Sequence, residues 1–131
     1  MKNPITAIFD TCENPRILCK AIRRTFHISQ RIMAKRLLTC QSSVCRFETG
    51  QVKRYLSQTE YNRLWFNLKI DFEETISNMG DHQGRAHAVL TIMQTLIEYL
   101  RLTTGKDQKD RKDVIRLLNR FAKEYGVISN E

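Results

Sequence analysis

The sequence predicts an all-α protein built from two successive groups of helices, and three observations lead to this prediction. The alternation of apolar and polar residues that is typical of strands is scarce along the 131 residues. Apolar residues recur instead at spacings of three and four, as on one face of a helix. Residues that start or stop helices are frequent between these segments. With 41% hydrophobic and 27% charged residues, the chain is expected to be globular.

Two Asn-Pro pairs predict the first two helices. In Asn3-Pro4 and Asn14-Pro15, an N-cap residue is followed by a proline at the first helical position. The second pair opens a helix whose apolar residues have helical spacing: Ile17, Leu18, Ala21, Ile22 and Phe26. An amphipathic second helix is therefore expected.

Two short helices are predicted to follow. Ser29 can cap a helix that runs from Gln30 to about Leu37. The next short helix covers Gln41 to Phe47 and stops at Gly50, because glycine commonly ends helices. This pair completes the first group of helices.

A longer helix is predicted to open the second half of the chain. Ser57 and Glu60 have the spacing of a capping box, in which each side chain binds a backbone N–H of the other residue. We expect Met79 and Gly80 to end this helix. The apolar residues between these signals have helical spacing: Tyr61, Leu64, Trp65, Leu68 and Phe72.

Two further helices are predicted to complete a C-terminal bundle. The one from about Arg85 to Thr103 has an apolar stripe too wide for a helix covered on one side only. This helix is expected to lie in a three-helix core with its neighbours. A more specific hypothesis adds a homodimer interface along this helix or along the last helix, which is predicted from Asp110 to Glu124. The mixed charges of Lys106 to Asp113 predict a solvated loop before that helix. The stripe comprises Val89, Met93, Leu96 and Leu100, flanked by Leu90, Ile92 and Ile97.

The excess positive charge is confined to the first part of the chain. Residues 1–56 hold 11 Lys and Arg against 3 Asp and Glu, a net charge of +8, whereas residues 57–131 hold 11 of each. This asymmetry predicts a basic part, 1–56, that meets a polyanion and a neutral part, 57–131, with another role. Nucleic acid is the most common polyanion; a membrane surface or an acidic protein are the alternatives.

No membrane or secretory segment is predicted. The most apolar stretch, Ala86 to Leu100, contains His87, Gln94 and Glu98, which a bilayer core would penalise. Residues 1–20 lack the continuous apolar region of a signal peptide. We therefore expect a cytoplasmic protein with reduced thiols.

Neither a metal site, nor a cofactor, nor an enzymatic activity is expected. His82 and His87 lack a third ligand at helical spacing, and no phosphate-binding glycine loop or nucleophile motif occurs. The cysteines form no C-x-x-C pair, so we interpret them as small buried or half-buried thiols. They are Cys12, Cys19, Cys40 and Cys45.

The two short helices, joined by residues 38–40, have the dimensions of a helix-turn-helix. From Ile28 to Gly50 the sequence reads ISQRIMAKRLLTCQSSVCRFETG and resembles the XRE/Cro–CI family of phage and bacterial regulators. The resemblance covers residues 16–56 and leaves the 75 residues of 57–131 unexplained. Twelve positions match the family's frame without a gap: Ile28, Ser29, Gln30, Met33, Ala34, Leu37, Thr39, Ser42, Val44, Arg46, Glu48 and Gly50.

Three residues depart from this frame. Leu38 replaces the turn glycine, which requires either a different turn dihedral or a strained left-handed residue. His27 replaces a common glycine before the motif, and Cys40 takes the N-cap position of the second short helix, where Ser or Thr is usual. A thiol at a helix N-terminus in a basic field is prone to oxidation, so a redox-sensing role for Cys40 and Cys45 is a hypothesis beside inert thiols.

The resemblance implies a sequence-specific DNA-binding regulator that acts as a homodimer on a palindromic operator and is more often a repressor. The second short helix would enter the major groove, where Gln41 can read adenine and Arg46 can read guanine. Ser42 lies beside them, and Ser43 can bond a base, a phosphate or its own backbone. The alternative interpretation treats Gln41 and Ser42 as ordinary solvated residues and Arg46 as a phosphate contact or a surface ion pair.

The resemblance also implies supporting roles for other residues. Gln30 would contact a phosphate and buttress the first residue of the reading helix, and Lys53 and Arg54 would meet the phosphate backbone. Arg23 and Glu48 would form a partly buried, structural ion pair. A second hypothesis is an antitoxin-like or adaptor protein whose helical half, 57–131, binds a partner protein.

Overall fold

The computed structural model describes residues 4–12, 14–49, 57–103 and 110–125. These ranges contain helices and no strand, which confirms the all-α prediction. None of the described helices is both long enough and apolar enough to cross a membrane. The helices are α1 (Pro4–Thr11), α2 (Pro15–Phe26), α3 (Gln30–Arg36), α4 (Gln41–Thr49), α5 (Gln58–Gln83), α6 (Arg85–Leu102) and α7 (Arg111–Tyr125).

Helix α6 lies at the centre of the packing. It contacts α2, α5 and α7 and also touches α1, so its wide apolar stripe is covered from several sides. Leu96 is fully buried, whereas Leu90 and Ile97 are each 42% exposed. The buried apolar residues of α1, α2, α5, α6 and α7 form one core with those of α3 and α4. The core therefore includes side chains from both 1–56 and 57–131.

Helices α3 and α4 pack on each other, and α4 packs on α2. A small group of apolar side chains fills the space between them, and Phe47 of α4 also meets the ring of Tyr61 in α5, with 5.1 Å between ring centroids. Ala34 is 3% exposed, because the small side chain allows close approach of the helices. The fully buried members of this group are Ile22, Met33, Leu37, Val44 and Phe47.

Local capping signals start two of the helices as predicted. The Ser29 hydroxyl accepts a hydrogen bond from the backbone N–H of Ile32 at 3.2 Å. The Ser57 hydroxyl accepts one from the backbone N–H of Glu60 at 3.1 Å. Asn14 precedes α2 but makes no side-chain capping bond. The other predicted cap, Asn3, lies outside the described residues.

The predicted end of α5 at Met79 and Gly80 is wrong, because the helix continues to Gln83. A glycine inside a helix costs about 1 kcal/mol, which the packing of buried residues such as Ile76 can outweigh. The helix ends at Gly84 instead, where φ is 97°. A side chain is disfavoured at this dihedral, so glycine suits the junction between α5 and α6.

The expectation of a solvated segment is wrong for Asp110 and for half-buried Arg111 at the entry to α7, whereas Lys112 and Asp113 are exposed as expected. Asp110 is 1% exposed and accepts a hydrogen bond from the Tyr99 hydroxyl. Arg111 donates to the carbonyl and hydroxyl oxygens of Thr103 at 2.7 and 2.8 Å. It thereby satisfies backbone and side-chain acceptors at Thr103, the residue that caps the C-terminal end of α6. Residues 106–109 lie outside the described part of the chain.

Candidate functional site

Glu48, in the last turn of α4, is the buried anchor that attaches this helix to its neighbours. Its carboxylate accepts hydrogen bonds from Arg23 Nε at 2.7 Å and Arg23 Nη2 at 2.9 Å. It also accepts from Gln30 Nε2 at 3.1 Å and from the Cys19 thiol at 3.4 Å. One carboxylate therefore ties α4 to both α2 and α3.

Arg23 has a structural role in this arrangement. Its hydrogen bond to Glu48 raises the pKa of the guanidinium. A further N–H donates to the Ile28 carbonyl at 3.2 Å, in the segment between α2 and α3. Burial raises the pKa of Cys19, and the nearby Glu48 charge acts in the same direction, so this thiol stays protonated. The guanidinium of Arg23 is therefore engaged by groups of its own chain.

Helix α5 holds the residues that join α3 to α4. It does so with donors and acceptors from its first three turns, which reach the backbone or side chains of residues 37–39. Asn67 donates to the Leu37 carbonyl (3.2 Å), Arg63 donates to the Leu38 carbonyl (3.4 Å), and Thr39 donates to Glu60 (3.3 Å). Sequence reasoning missed this brace because its partners are more than twenty residues apart.

Two non-glycine residues near α3 have left-handed backbones. Leu38 has φ 58° and His27 has φ 56°. Of the two alternatives for Leu38, the left-handed residue is the one observed. Its side chain is 78% exposed, so little apolar burial offsets the strain of this backbone conformation. His27 ends α2, and its backbone N–H binds a carbonyl of the last turn of that helix.

Helix α4 has a buried face and an exposed face. The inner face meets α2 and α3, and the outer face begins at the N-terminus of the helix. The buried residues are Val44, Phe47 and Glu48; the exposed ones are Gln41, Ser42 and Cys45, with Ser43 and Arg46 half-buried. The outer face therefore presents an amide, a hydroxyl and a thiol within its first turns.

The other predicted site residues have mixed positions. The Gln30 amide donates to Glu48 and not to Gln41, so in this structure it supports α4 from behind. The Ser43 hydroxyl lies 3.3 Å from the Cys40 sulfur. Lys53 and Arg54 lie outside the described residues, as does Gly50, the expected end of α4.

The interpretation of the cysteines as buried or half-buried thiols holds for two of them and is wrong for the others. Cys12 and Cys19 are buried, whereas Cys40 and Cys45 are exposed. The hydroxyls of Ser42 and Ser43 lie 3.2 and 3.3 Å from the Cys40 sulfur. Hydrogen bonds from these hydroxyls lower the pKa of Cys40 to about 6, because they stabilise the thiolate.

The basic residues around α3 divide into engaged and exposed groups. Arg36 lies over the Phe26 ring, 5.9 Å from its centroid, and 3.6 Å from Asp71 of α5. Arg31 and Lys35 are exposed and lie four positions apart, on one face of α3. Within the described ranges, no group of three His, Cys, Asp or Glu side chains is placed to hold a metal ion.

Comparison of the chain with models of protein families, with curated proteins and with solved structures found no match in any of the three. The role of α3 and α4 must therefore be inferred from their own residues. These residues provide an anchored inner face, a polar outer face and exposed cations on the preceding helix.

Proposed function

We propose that the chain is a sequence-specific DNA-binding transcriptional regulator in which α3 and α4 act as a helix-turn-helix. One observation carries this proposal. Glu48 binds α4 to α2 and α3 from behind, while Gln41 and Ser42 are exposed at its N-terminus. A reading helix needs both properties, because base recognition requires a fixed orientation and polar side chains that project into the groove.

The exposed side chains of Gln41 and Ser42 and the half-buried side chain of Arg46 have suitable chemistry for reading base edges. The Gln41 amide can bond the N6 and N7 atoms of adenine with two hydrogen bonds, and Arg46 can bond O6 and N7 of guanine. Each such pair discriminates against a wrong base by about 1–3 kcal/mol. Ser42 is exposed beside Gln41 and can bond a base or a phosphate. Recognition of the DNA base sequence is therefore assigned to Gln41, Ser42 and Arg46.

Attraction to the phosphate backbone is assigned to a different set of residues. Arg31 and Lys35 are exposed on α3, which crosses the backbone in helix-turn-helix docking. Lys53 and Arg54 follow α4 in the sequence and add two more cations. Cations that neutralise phosphates release counterions, so their contribution falls steeply as salt rises.

We further propose that the regulator is a homodimer on a palindromic operator, with repression as its action. A single helix-turn-helix reads only a short half-site, and two copies gain affinity by reading half-sites about one DNA turn apart. The chain outside 1–56 has no net charge, so its contact with a second copy would add no net repulsion. Repression is the more frequent behaviour in the family that residues 28–50 resemble.

Selection of duplexes from a random pool tests this proposal. The full chain is expected to enrich one palindromic sequence, and Gln41→Ala with Ser42→Ala should broaden the choice of bases at defined positions. Gln83→Ala with Asn119→Ala is a matched control, because it removes two exposed polar side chains that belong to α5 and α7 and not to α4. Binding of all duplexes alike, together with a stoichiometric complex with a protein, would contradict a DNA-reading role and favour the adaptor hypothesis.

A further inference from the structure

We propose that the outer face of α5 binds the same face of a second copy of this chain, with the two helices antiparallel. Positions 63, 66, 70 and 73 are separated by three and four residues, so they share one face of the helix. Phe66 is 62% exposed and Ile70 is 39% exposed in the middle of this stripe. Arg63 stands at its N-terminal end and Glu73 at its C-terminal end. The stripe is apolar at its centre and oppositely charged at its two ends.

The two apolar side chains of this stripe have no role in the core of their own chain. The opposite face of α5 is the one that packs inward, through residues such as Leu64, Leu68 and Phe72, which are fully buried. Leu38 adds a 78% exposed side chain close by, because its carbonyl accepts a hydrogen bond from Arg63. Grouped exposed apolar residues typically mark a site of interaction.

The order of charges along the stripe selects the antiparallel arrangement. A two-fold axis midway between positions 66 and 70 places Phe66 against the partner's Ile70 and Arg63 against the partner's Glu73. A parallel pair would instead place Arg63 against the partner's Arg63, which is repulsive. Arg63 also bonds Glu60 of its own helix at 2.7 Å, an exposed pair three positions apart that contributes little stability and does not prevent a new contact.

The antiparallel arrangement has a consequence for α3 and α4. Its two-fold axis is perpendicular to the plane of the two α5 helices, so elements on one flank of α5 stay on the same side in both copies. Glu60, Asn67 and Asp71 contact the α3 region, and all three lie on one flank of the stripe. Both α4 helices therefore lie on one side of the dimer, where a single duplex can meet them. This consequence rests on the proposed function; the interface itself does not.

Sedimentation velocity of the full chain without DNA tests the interface. The wild type is expected to form a reversible dimer, and Phe66→Glu or Ile70→Glu should weaken dimerisation at least about 30-fold, because a charge replaces an apolar anchor. Leu90→Glu and Ile97→Glu are matched controls on α6, at residues 42% exposed, and should leave the dimer unchanged. Thermal melts followed by circular dichroism check that each variant is folded. A monomeric wild type at about 0.1 mM, or dimerisation of the α5 variants equal to wild type, would overturn the proposal.

A charge-swap experiment tests the antiparallel register. Arg63→Glu and Glu73→Arg should each weaken the dimer, because each sets like charges against each other. An equimolar mixture of the two variants should dimerise, since the mixed dimer contains two opposite-charge pairs, and the double variant should recover as well. Single variants that dimerise like the wild type would show that these charges do not meet.

The two proposals fail in different ways. If the α5 variants become monomers but the wild type selects no DNA sequence, the interface holds and the DNA-reading function fails. If a sequence is selected and Phe66→Glu retains the same dimer and the same two half-sites, the function holds and the interface fails.

Discussion

Arg23 of α2 and Glu48 of α4 form a two-point ion pair across 25 positions of sequence, with Nε–Oε2 and Nη2–Oε1 distances of 2.7 and 2.9 Å. The carboxylate side chain is 3% exposed and that of the arginine 16%. A buried pair of this kind contributes little net stability compared with apolar packing, but removal of one partner is costly. Its main effect is to orient α4, and with it the outer face that carries Gln41 and Ser42.

Removal of the arginine should therefore destabilise the fold strongly. We expect Arg23→Ala to lower the free energy of unfolding by about 3–5 kcal/mol, because it leaves a buried carboxylate without its cation. The adjacent Arg24 is the matched control: it bonds Glu98 at 3.2 Å but its side chain is 51% exposed, so Arg24→Ala should cost about 1 kcal/mol or less. Urea denaturation followed by circular dichroism measures both. Equal losses for the two variants would contradict the anchoring role.

The left-handed backbone of Leu38 predicts a stabilising substitution. Leu38→Gly should raise the free energy of unfolding by up to about 1 kcal/mol, because glycine removes the steric cost of φ 58° and little side-chain burial is lost. The greater conformational freedom that glycine gives the unfolded chain offsets part of this gain. Leu38→Ala keeps the strain and removes the exposed side chain, so it should show no gain. Urea midpoints compare the two. A gain with alanine equal to that with glycine would mean that the side chain, and not the backbone, causes the strain.

The Cys40 thiol should be reactive in mildly acidic solution. Its pKa of about 6 predicts that alkylation by iodoacetamide reaches half its maximal rate near pH 6, because the thiolate is the nucleophile. Since the folded state lowers this pKa, the thiolate favours folding at alkaline pH, and this contribution is lost as the pH falls through 6. Mass spectrometry of modified peptides resolves Cys40 from buried Cys12 and Cys19, whose burial raises their pKa and should prevent reaction in the folded chain. A Cys40 rate that rises only near pH 9 would contradict this environment.

The redox hypothesis for Cys40 has its own test. DNA binding should be compared before and after peroxide treatment, with Cys40→Ser as the control that cannot be oxidised at this position. Sensing by this thiol predicts a loss of affinity in the wild type alone, because Cys40 precedes Gln41 at the start of α4. Unchanged affinity after confirmed oxidation would leave Cys40 as a reactive thiol without a regulatory role.

Asp71 should produce a distinct pH dependence of stability. Burial raises its pKa above the ordinary 3.8, although Arg36 at 3.6 Å acts to lower it. The folded chain then binds this proton more tightly than the unfolded chain does, so the contribution of Asp71 to stability is greatest in acid and falls as the pH rises through the raised pKa. Asp71→Asn, which mimics the protonated carboxyl, should remove this fall and be more stable than the wild type at neutral pH relative to acid. Urea titrations from about pH 3 to about pH 7 measure the effect. Asp113→Asn, in an exposed pair with Arg116, is the matched control variant.

Phosphate contacts and base contacts should separate in their salt dependence. Lys53→Ala with Arg54→Ala is expected to weaken binding to all duplexes and to reduce the slope of log affinity against log salt by about 2, since each phosphate contact contributes about 0.9. Gln41→Ala with Ser42→Ala should keep the slope and reduce discrimination between sequences. Fluorescence anisotropy at several salt concentrations measures both quantities. Identical behaviour of the two double variants would contradict the assignment of roles.

Much of the secondary structure could be predicted because its signals are local. Ser29 and Ser57 start their helices through hydrogen bonds to N–H groups three residues ahead. The end of α5 could not be predicted in the same way, because the small cost of Gly80 is outweighed by packing elsewhere along the helix. Asp110 was mistaken for a solvated residue because its partner, the Tyr99 hydroxyl, belongs to another helix.

The candidate site was only partly predictable. The exposure of Gln41, Ser42 and Cys45 follows from helical periodicity once the start of α4 is known. The pairing of Arg23 with Glu48 was implied by the family resemblance and not by spacing. The sequence offered no sign that α5 braces the turn between α3 and α4, since the residues of that brace carry no local pattern.

By itself, the sequence determined the helical class of the chain, most helix starts and the concentration of positive charge in residues 1–56. These features depend on backbone hydrogen bonds and side-chain periodicity over a few residues. Only the tertiary structure decided that Glu48 is an internal anchor, that Leu38 takes a left-handed backbone and that Phe66 and Ile70 remain exposed. Burial and ion pairing between helices depend on how distant segments pack, and that information is not contained in any single segment.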